Sequence, residues 1–371
     1  MHILFIPSWF ETPQHPVKGK AMKDLALALA REGIKVNVLF QTGEKLPPVS
    51  LAGPGVEIWY SFFPGRGQLY PIWNAGSLRS YLGTFKKYLT LHGRPDLVHI
   101  HSYPVLAIAH LLKKKYGIPF LYTEHSSKIA EKKINILEQF LIKRYLGKQA
   151  PVFAVSRYLK ESYAEYIHND IHVMPNTIDF KVFKPGRTAF PRHLMMVNTL
   201  DQNKQVGLGI KAFTKWQKGY PDACLHIIGD GPERHNLEQL IHQLGMKGKI
   251  LLWGEKKVED WLPLLQSASC FLLMSRSESF GVAALEALAC RVPVVALQNR
   301  GIDEFPHVPG LQILPLFSNE LDISQRIDQA IREFDKGQMG LTRAELLARF
   351  DFPVVAGKYL EIYKQFLKPL A

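Results

Sequence analysis

The chain has 371 residues, 47% of them hydrophobic, and a formal net charge of +13; that length predicts two domains rather than one, and no apolar run approaches the ~18 residues a membrane-spanning helix needs. Cys224, Cys270 and Cys290 are odd in number, lie in apolar stretches and lack metal-ligand spacing, which excludes a disulfide scaffold and reads as reduced core thiols of a cytosolic protein. The charge is uneven: residues 1–150 hold 20 Lys and Arg against 9 Asp and Glu, whereas the remaining 221 hold 26 against 24, so the first half offers a face to anions, be they a membrane surface, a nucleic acid or an acidic substrate.

His2–Ile6 reads as the first strand, and no basic n-region precedes it, so no signal peptide is expected. A loop through Pro7, Pro13 and Pro16 reaches Gly19; Met22, Leu25, Ala26 and Leu29 then recur at helical spacing, with Gly33 as the stop. Lys35–Phe40 is a second strand, and the resulting βαβ unit predicts a parallel sheet. The stretch Val17-Lys18-Gly19-Lys20 opens the helix and is a candidate anion site. Residues 47–95 are rich in Pro, Gly and aromatics and include an amphipathic helix over Ser77–Leu89. Its Tyr81, Phe85 and Tyr88 either rest on a membrane surface beside Lys86 and Lys87 or pack on their own sheet. Leu97–His101 is a strand whose His99 and His101 share a face by alternation, but spacing offers no third ligand for a metal. The strand Phe120–Thr123 ends in Glu124-His125-Ser126-Ser127, which sets His125 just past a carboxyl end, a place suited to chemistry or phosphate contact. Val152–Val155 ends likewise at Ser156.

Pro175, Pro185, Gly186 and Pro191 mark a domain boundary. A second α/β series follows: strand Leu194–Val197, helix Leu208–Trp216, strand Leu225–Ile228, helix Leu237–Leu244 and strand Ile250–Trp253. Cys270–Met274 is a buried strand, and Glu278-Ser279-Phe280-Gly281 leads from it into a helix carrying Glu286. Here a carboxylate stands at a strand end, Gly281 lets the backbone approach a ligand, and the free N–H groups of the helix's first turn suit an anion. Val292–Val295 is a further strand, and the last helix carries Val355, Tyr359, Ile362 and Phe366 on one face. Gly207-Leu208-Gly209 with Ala212 formally fits a dinucleotide fingerprint but continues as an ordinary amphipathic helix. A Walker-type Gly-Lys loop, a Gly-x-Ser-x-Gly elbow and a metal-binding Asp-x-Asp pair are all missing from the sequence. A diphosphate handled here would be met by helix N-termini and by Lys or Arg.

Together these segments resemble the retaining glycosyltransferases of family 4, over nearly the whole chain. Glu278, Phe280, Gly281 and Glu286 match the family's Glu-x-Phe-Gly-x4-Glu signature, and Pro175-Asn176-Thr177-Ile178-Asp179 looks like its interdomain segment. Gly229-Asp230-Gly231-Pro232 looks like its Gly-x-Gly-Pro turn, Thr123-Glu124-His125-Ser126 like the strand end bearing its active-site His, and Phe350 to Tyr363 like its C-terminal helix. The resemblance implies the GT-B fold, two Rossmann-like α/β domains facing a central cleft. Residues 1–175 would form an acceptor-binding domain, 176–190 a linker and 191–352 a nucleotide-sugar domain, with the helix 353–371 crossing back onto the first.

The resemblance also implies roles. Gly19 would lie near the donor phosphates, His125 would contact the donor sugar or its phosphate, and Lys204 would neutralise the diphosphate. Glu278 would hydrogen-bond the transferred sugar beside the Phe280 and Gly281 backbone N–H groups, Glu286 would hold the ribose hydroxyls, and Glu255 with Leu252 would lie near the base. The Arg usual five or six residues before the Lys is Thr199 here, so Arg276 or Arg300 is a candidate replacement. Arg291 stands where the family's helix stops at Gly, and a left-handed backbone there would cost it about 1 kcal/mol. The implied donor is a UDP- or GDP-hexose and the acceptor a saccharide or lipid-linked saccharide in surface-glycan assembly. No metal or cofactor is expected, nor any nucleic-acid partner, and the setting is cytoplasmic, peripheral on the inner face of the membrane. Two other readings stay open: a 2-epimerase-like sugar-nucleotide enzyme on the same fold, against which the 278–286 stretch argues, and a basic nucleic-acid binder without a readout motif.

Overall fold

The computed structural model describes residues 1–64, 75–146, 150–186, 192–305, 307–334 and 336–367. Pro191, the end of the linker expected over 176–190 and the tail of the helix expected over 353–371 lie outside them. The chain divides into two compact units, one of Met1–Thr12, Lys18–Thr177 and Phe352–Ala371, the other of Pro13–Val17 and Ile178–Asp351.

The first unit runs β1 (His2–Pro7), α1 (Lys20–Arg31), β2 (Lys35–Thr42), β3 (Val49–Gly53), β4 (Val56–Phe62), α2 (Ala75–His92), β5 (Leu97–His101), α3 (Leu106–Tyr116), β6 (Phe120–Glu124), α4 (Ser127–Ala130), α5 (Ile136–Leu146), β7 (Val152–Ala154), α6 (Arg157–Ala164) and β8 (Ile171–Val173). Its sheet has the order β3-β4-β2-β1-β5-β6-β7-β8, parallel except where β3 pairs antiparallel with β4. β1 is Ile-, Leu- and Phe-rich because both of its faces are covered; Ile3, Leu4, Phe5 and Ile6 are all buried. In α2 the side chains of Tyr81, Phe85 and Tyr88 are buried, and Tyr81 Oη donates to the Leu39 carbonyl at 2.9 Å. These aromatics therefore pack on their own sheet, which removes the membrane alternative for them.

The second unit contains β9 (His193–Val197), α7 (Val206–Gln217), β10 (Cys224–Ile228), α8 (Arg234–Gln243), β11 (Ile250–Leu252), α9 (Val258–Ser267), β12 (Cys270–Leu273), α10 (Val282–Ala289), β13 (Val294–Leu297), β14 (Leu311–Leu314), α11 (Glu320–Arg332) and α12 (Lys336–Phe350). All six strands are parallel, in the order β11-β10-β9-β12-β13-β14. β13 starts two residues later than the apolar run predicts, because Arg291 turns the chain after α10 with a left-handed backbone (φ 61°). Cys270 and Cys290 are free and buried as expected, whereas Cys224 is only half-buried. Arg343 of α12 ties this unit together: its guanidinium donates to the carbonyls of Phe180 (2.7 Å), Phe183 (2.8 Å) and Ala289 (2.6 Å). It thereby caps the C-terminal end of α10 with a cation.

The last helix, α13 (Phe352–Leu367), returns to the first unit and packs on α1. Phe352, Val355, Ala356, Tyr359 and Tyr363 join Met22, Leu25 and Leu29 in one core, and the Arg31 guanidinium lies over the Phe352 ring at 5.0 Å. Tyr359 and Tyr363 also reach polar groups of the sheet, Thr123 Oγ1 at 3.4 Å and His99 Nδ1 at 2.7 Å. Truncating Tyr359 to Ala removes a buried ring from this core and is expected to cost about 3–5 kcal/mol. A urea titration should show the unfolding midpoint of the first unit falling.

Candidate active site

In a parallel sheet, neighbouring strands whose connections leave in opposite directions open a crevice at their carboxyl ends. In the second unit that reversal falls between β9 and β12. The loop after β9 forms a single helical turn over Gln202–Lys204, started by the Asp201 side chain, which accepts from Lys204 N. The loop after β12 carries Glu278. The two meet: Lys204 Nζ donates to Glu278 Oε1 at 2.6 Å, with side chains 18% and 14% exposed. Asn203 fixes both loops, donating from Nδ2 to the Ser277 carbonyl (2.9 Å) and accepting at Oδ1 from Ser277 N (3.0 Å). Its own carbonyl accepts from Arg276 N at 2.8 Å.

The Gly229–Pro232 turn supports the same loop from the other side. Asn198 N donates to the Ile228 carbonyl (3.0 Å) and Leu200 N to the Asp230 carbonyl (2.9 Å). Thr199 is exposed within this stretch. Gln205, its amide turned so that both partners are satisfied, accepts from Arg276 Nε (3.1 Å) and donates to the Met274 carbonyl (3.1 Å). Arg276 is thus held by the two residues that flank Lys204, Asn203 and Gln205, whereas Arg300 is exposed and starts a separate turn with φ 63°.

α10 begins at Val282, with Gly281 as its N-terminal cap at φ 88°, a conformation that would strain any residue with a Cβ. Ala284 N and Leu285 N donate to the Gly281 carbonyl at 3.0 and 3.2 Å, which leaves the Val282 and Ala283 N–H groups at the head of the helix, four residues after Glu278, for a ligand. Phe280, expected beside the ligand, has its ring in the core, edge-on to Phe305 and Phe350 at 5.5 Å each; only its backbone is left for the site. Glu286 lies one turn into α10 and is 3% exposed, a placement that demands hydrogen-bond donors around the carboxylate. Leu252 is half-buried, and its carbonyl accepts from Arg234 Nη2 at 3.5 Å. Glu255 is occupied by the N-terminal loop that packs with this unit: Val17 N donates to it at 3.4 Å, and His15 Nδ1 lies 3.5 Å away.

In the first unit, Gly19 caps α1 with φ 73°. A Cβ there would sit 2.9 Å from the Trp9 carbonyl oxygen, so the backbone path requires glycine. Of the charges in the expected anion loop, Lys20 is bound to Asp24 at 2.5 Å and Lys18 is exposed.

His125 follows β6 and is positioned by Glu124, which is fully buried. Glu124 Oε1 accepts from the backbone N–H groups of His125 (2.8 Å) and Ser126 (2.7 Å), and Oε2 accepts from Tyr122 Oη. Burial raises the Glu124 pKa, and these donors oppose the rise. The His125 ring lies 3.0 Å, Nε2 to Nδ1, from His101. His101 stacks near His99 with ring centroids 4.0 Å apart. Burial lowers the pKa of His125 to about 4 and holds His99 and His101 well below the usual histidine range, with the neighbouring histidines adding to the effect at His99 and His101. Among the described residues, the buried His101 Nε2 has no hydrogen-bond partner. An unpartnered buried N–H costs more than an unpartnered ring lone pair, so the His101 proton belongs on Nδ1, where it donates to His125 Nε2. His125 then carries its own proton on Nδ1. No group of three His, Cys, Asp or Glu among the described residues could hold a metal ion.

Lys204, Glu278, Gly281 and Glu286 are thus brought to one end of the second sheet, whereas in the first unit Gly19 caps α1 and His125 follows β6. Asn203, Glu124 and His101 escape sequence reasoning as positioning groups, although His101 and Glu124 flank strand ends that the pattern marks.

The histidine cluster makes two outcomes measurable. In 15N-labelled protein His125 should show a single tautomer, protonated at Nδ1, and His101→Phe should turn it into a mixture. Three histidines with depressed folded pKa values bind fewer protons than they do unfolded, so stability should fall as pH drops from about 6.5 toward 4. The slope reaches up to about 1.4 kcal/mol per pH unit for each proton the fold refuses. The raised pKa of Glu124 acts with the opposite sign and offsets only part of this, so urea midpoints measured against pH should still decline on acidification.

Two family models match the chain: "Glycosyltransferase Family 4" over residues 19–182 and "Glycosyl transferases group 1" over residues 178–333. A D-inositol 3-phosphate glycosyltransferase of Paenarthrobacter aurescens is 27% identical over 93% of this chain and 91% of its own length. An N-acetyl-alpha-D-glucosaminyl L-malate synthase of Bacillus anthracis is 31% identical over 56% of this chain and 58% of its own. Among solved structures, sucrose-phosphate synthase from Thermosynechococcus elongatus aligns over 99% of both chains with a TM-score of 0.81 at 18% identity. Anabaena HepE in complex with UDP-glucose aligns over 98% of this chain and all of its own with a TM-score of 0.75 at 16% identity.

Proposed function

The chain belongs to glycosyltransferase family 4 and has the GT-B fold, and from that premise we propose that it moves a hexose, with retention of anomeric configuration and without a metal ion, from a UDP- or GDP-hexose to a saccharide or lipid-linked acceptor. The observation that carries the reading is the Lys204–Glu278 pair at the strand-order reversal of the second sheet, beside the N-terminus of α10. A cation, a helix N-terminus and a carboxylate there match the three parts of a nucleotide-sugar's reacting end. Lys204 and the α10 N–H groups take the diphosphate charge, and Glu278 accepts from the sugar hydroxyls. Arg276, held by Gln205, supplies the second cation that Thr199 lacks. Glu286 holds the ribose.

In the reaction the C1–O bond to the diphosphate breaks and its electron pair stays on the phosphate oxygen. The acceptor oxygen attacks C1 on the same face, and its proton passes to that departing phosphate. His125, kept neutral, contacts the donor without competing for the proton. UDP is favoured over GDP because HepE is described in complex with UDP-glucose. The acceptor is met by the first unit, whose cationic excess suits an anionic, lipid-linked saccharide. Among the described residues no helix is long and apolar enough to cross a membrane; the proposed setting is the cytoplasmic face of an anionic membrane, in surface-glycan assembly.

Calorimetric titration of UDP- and GDP-hexoses in the presence of a chelator tests the donor site. One donor should bind saturably. Lys204→Ala should weaken diphosphate binding and cost ~3–4 kcal/mol in the transition state, and Glu286→Ala should weaken binding of the nucleoside part. Failure of every donor to bind to folded protein would overturn the reading, and an inverted product anomer would overturn the stereochemistry.

A further inference from the structure

α5 buries Glu138, Ile142 and Leu146 and turns the opposite side outward. On that side Ile136 is 85% exposed, Leu137 44% and Phe140 59%. Single apolar residues on a surface are ordinary, but three large ones on adjoining helical positions are a patch. The rotation of the helix is fixed. Asn135 and Glu138 bond reciprocally, Asn135 N to Oε2 at 2.7 Å and Glu138 N to Oδ1 at 2.8 Å. Glu138 Oε1 also accepts from Lys128 Nζ (2.6 Å) and Tyr103 Oη (2.8 Å). The apolar side therefore cannot roll inward without breaking a buried, charge-assisted network.

The next turn of α5 exposes Lys143 and Arg144. α3 packs beside it, with the His110 and Tyr145 rings 5.7 Å apart. The pKa of His110 is lowered first by burial and then by the charges of Arg144, Lys114 and Lys113, and all three of those cations are exposed. The lysines ahead of the helix are already neutralised, Lys132 by Glu165 at 2.8 Å and Lys133 by Glu131 at 2.5 Å.

We propose that α5 is a docking element for an anionic phospholipid surface, with Ile136, Leu137 and Phe140 entering the headgroup region and Lys143, Arg144 and the α3 lysines resting on the lipid phosphates. A second copy of the chain fits worse, because a two-fold contact over this patch sets Lys143 and Arg144 against the same cations. A bilayer supplies both the apolar layer and the negative charge. The inference rests on the reading that the acceptor is met at an anionic membrane.

Co-sedimentation with vesicles of phosphatidylcholine alone, or mixed with phosphatidylglycerol, tests it. The wild-type protein should bind the mixed vesicles and not the neutral ones. The pairs Ile136→Ser with Phe140→Ser, and Lys143→Gln with Arg144→Gln, should each lower partitioning about tenfold or more. Leu341→Ser, which removes an equally exposed apolar residue of α12, should leave it unchanged. In Phe140→Trp the indole emission should shift to the blue on binding. Thermal melts and donor titrations confirm that the variants are folded. If both α5 pairs bind like wild type while binding stays anion-dependent, α5 is not the docking element and the membrane reading survives. If wild type binds neither vesicle, or both alike, both fall. A loss of dimer mass in the variants by sedimentation velocity, without vesicles, would assign the patch to a second copy instead.

Discussion

Parallel strands all deliver their following loops to one end of the sheet, and where the strand order reverses, two of those loops depart to opposite sides and leave a gap neither fills. In the second unit the gap lies after β9 and β12, and the chain puts its most demanding polar residues there. Two partly buried charges at 2.6 Å are tolerable only when geometry and surrounding hydrogen bonds offset their lost hydration. Asn203 supplies that geometry by bonding to both backbone groups of Ser277. The pair is therefore held in place by something other than its own attraction, so an incoming anion can compete for Lys204 without collapsing the loops.

The first unit solves a related problem with one buried acid. Glu124 gathers the two backbone N–H groups that follow β6 together with the Tyr122 hydroxyl, and so fixes the path on which His125 sits. The imidazoles beside it are kept neutral by burial, and a neutral stack carries no like-charge repulsion at a ring spacing of 4.0 Å. Thr123 and Tyr363 occupy both nitrogens of His99, so the packing of α13 is written into the polar interior of the sheet.

The sequence made legible whatever repeats. The alternation of apolar strands and amphipathic helices in both halves is periodic, and strand ends carrying Lys, Glu or His stand out against it. The pairing of Lys204 with Glu278 crosses 74 positions, and periodicity carries no information about such a distance; the family resemblance implies a role for each residue but not their ion pair. Single polar residues that hold backbone, such as Asn203, Glu124 and Arg343, leave no pattern at all. The short strands β3, β8 and β14 were unread because three to five residues at or near a sheet edge show too little alternation to separate from loop. Phe280 illustrates the converse: a residue within a recognised motif whose ring serves the core while its backbone borders the site. The engagement of Glu255 by residues 15–17 was likewise beyond any local pattern, since it depends on where a distant loop packs.

The return of α13 to the first unit has a consequence for how the protein is made. Apart from residues 13–17, the second unit is an unbroken stretch, Ile178–Asp351, and every strand of its sheet has been synthesised before the last helix emerges. The first unit is begun before the second and completed after it, because the core beneath α1 lacks Phe352, Val355, Tyr359 and Tyr363 until the second unit has been made. During that interval an apolar face on Met22, Leu25 and Leu29 waits uncovered, the kind of exposure that invites chaperone capture or aggregation. A stop before Phe352 would thus damage the half of the protein that was translated first.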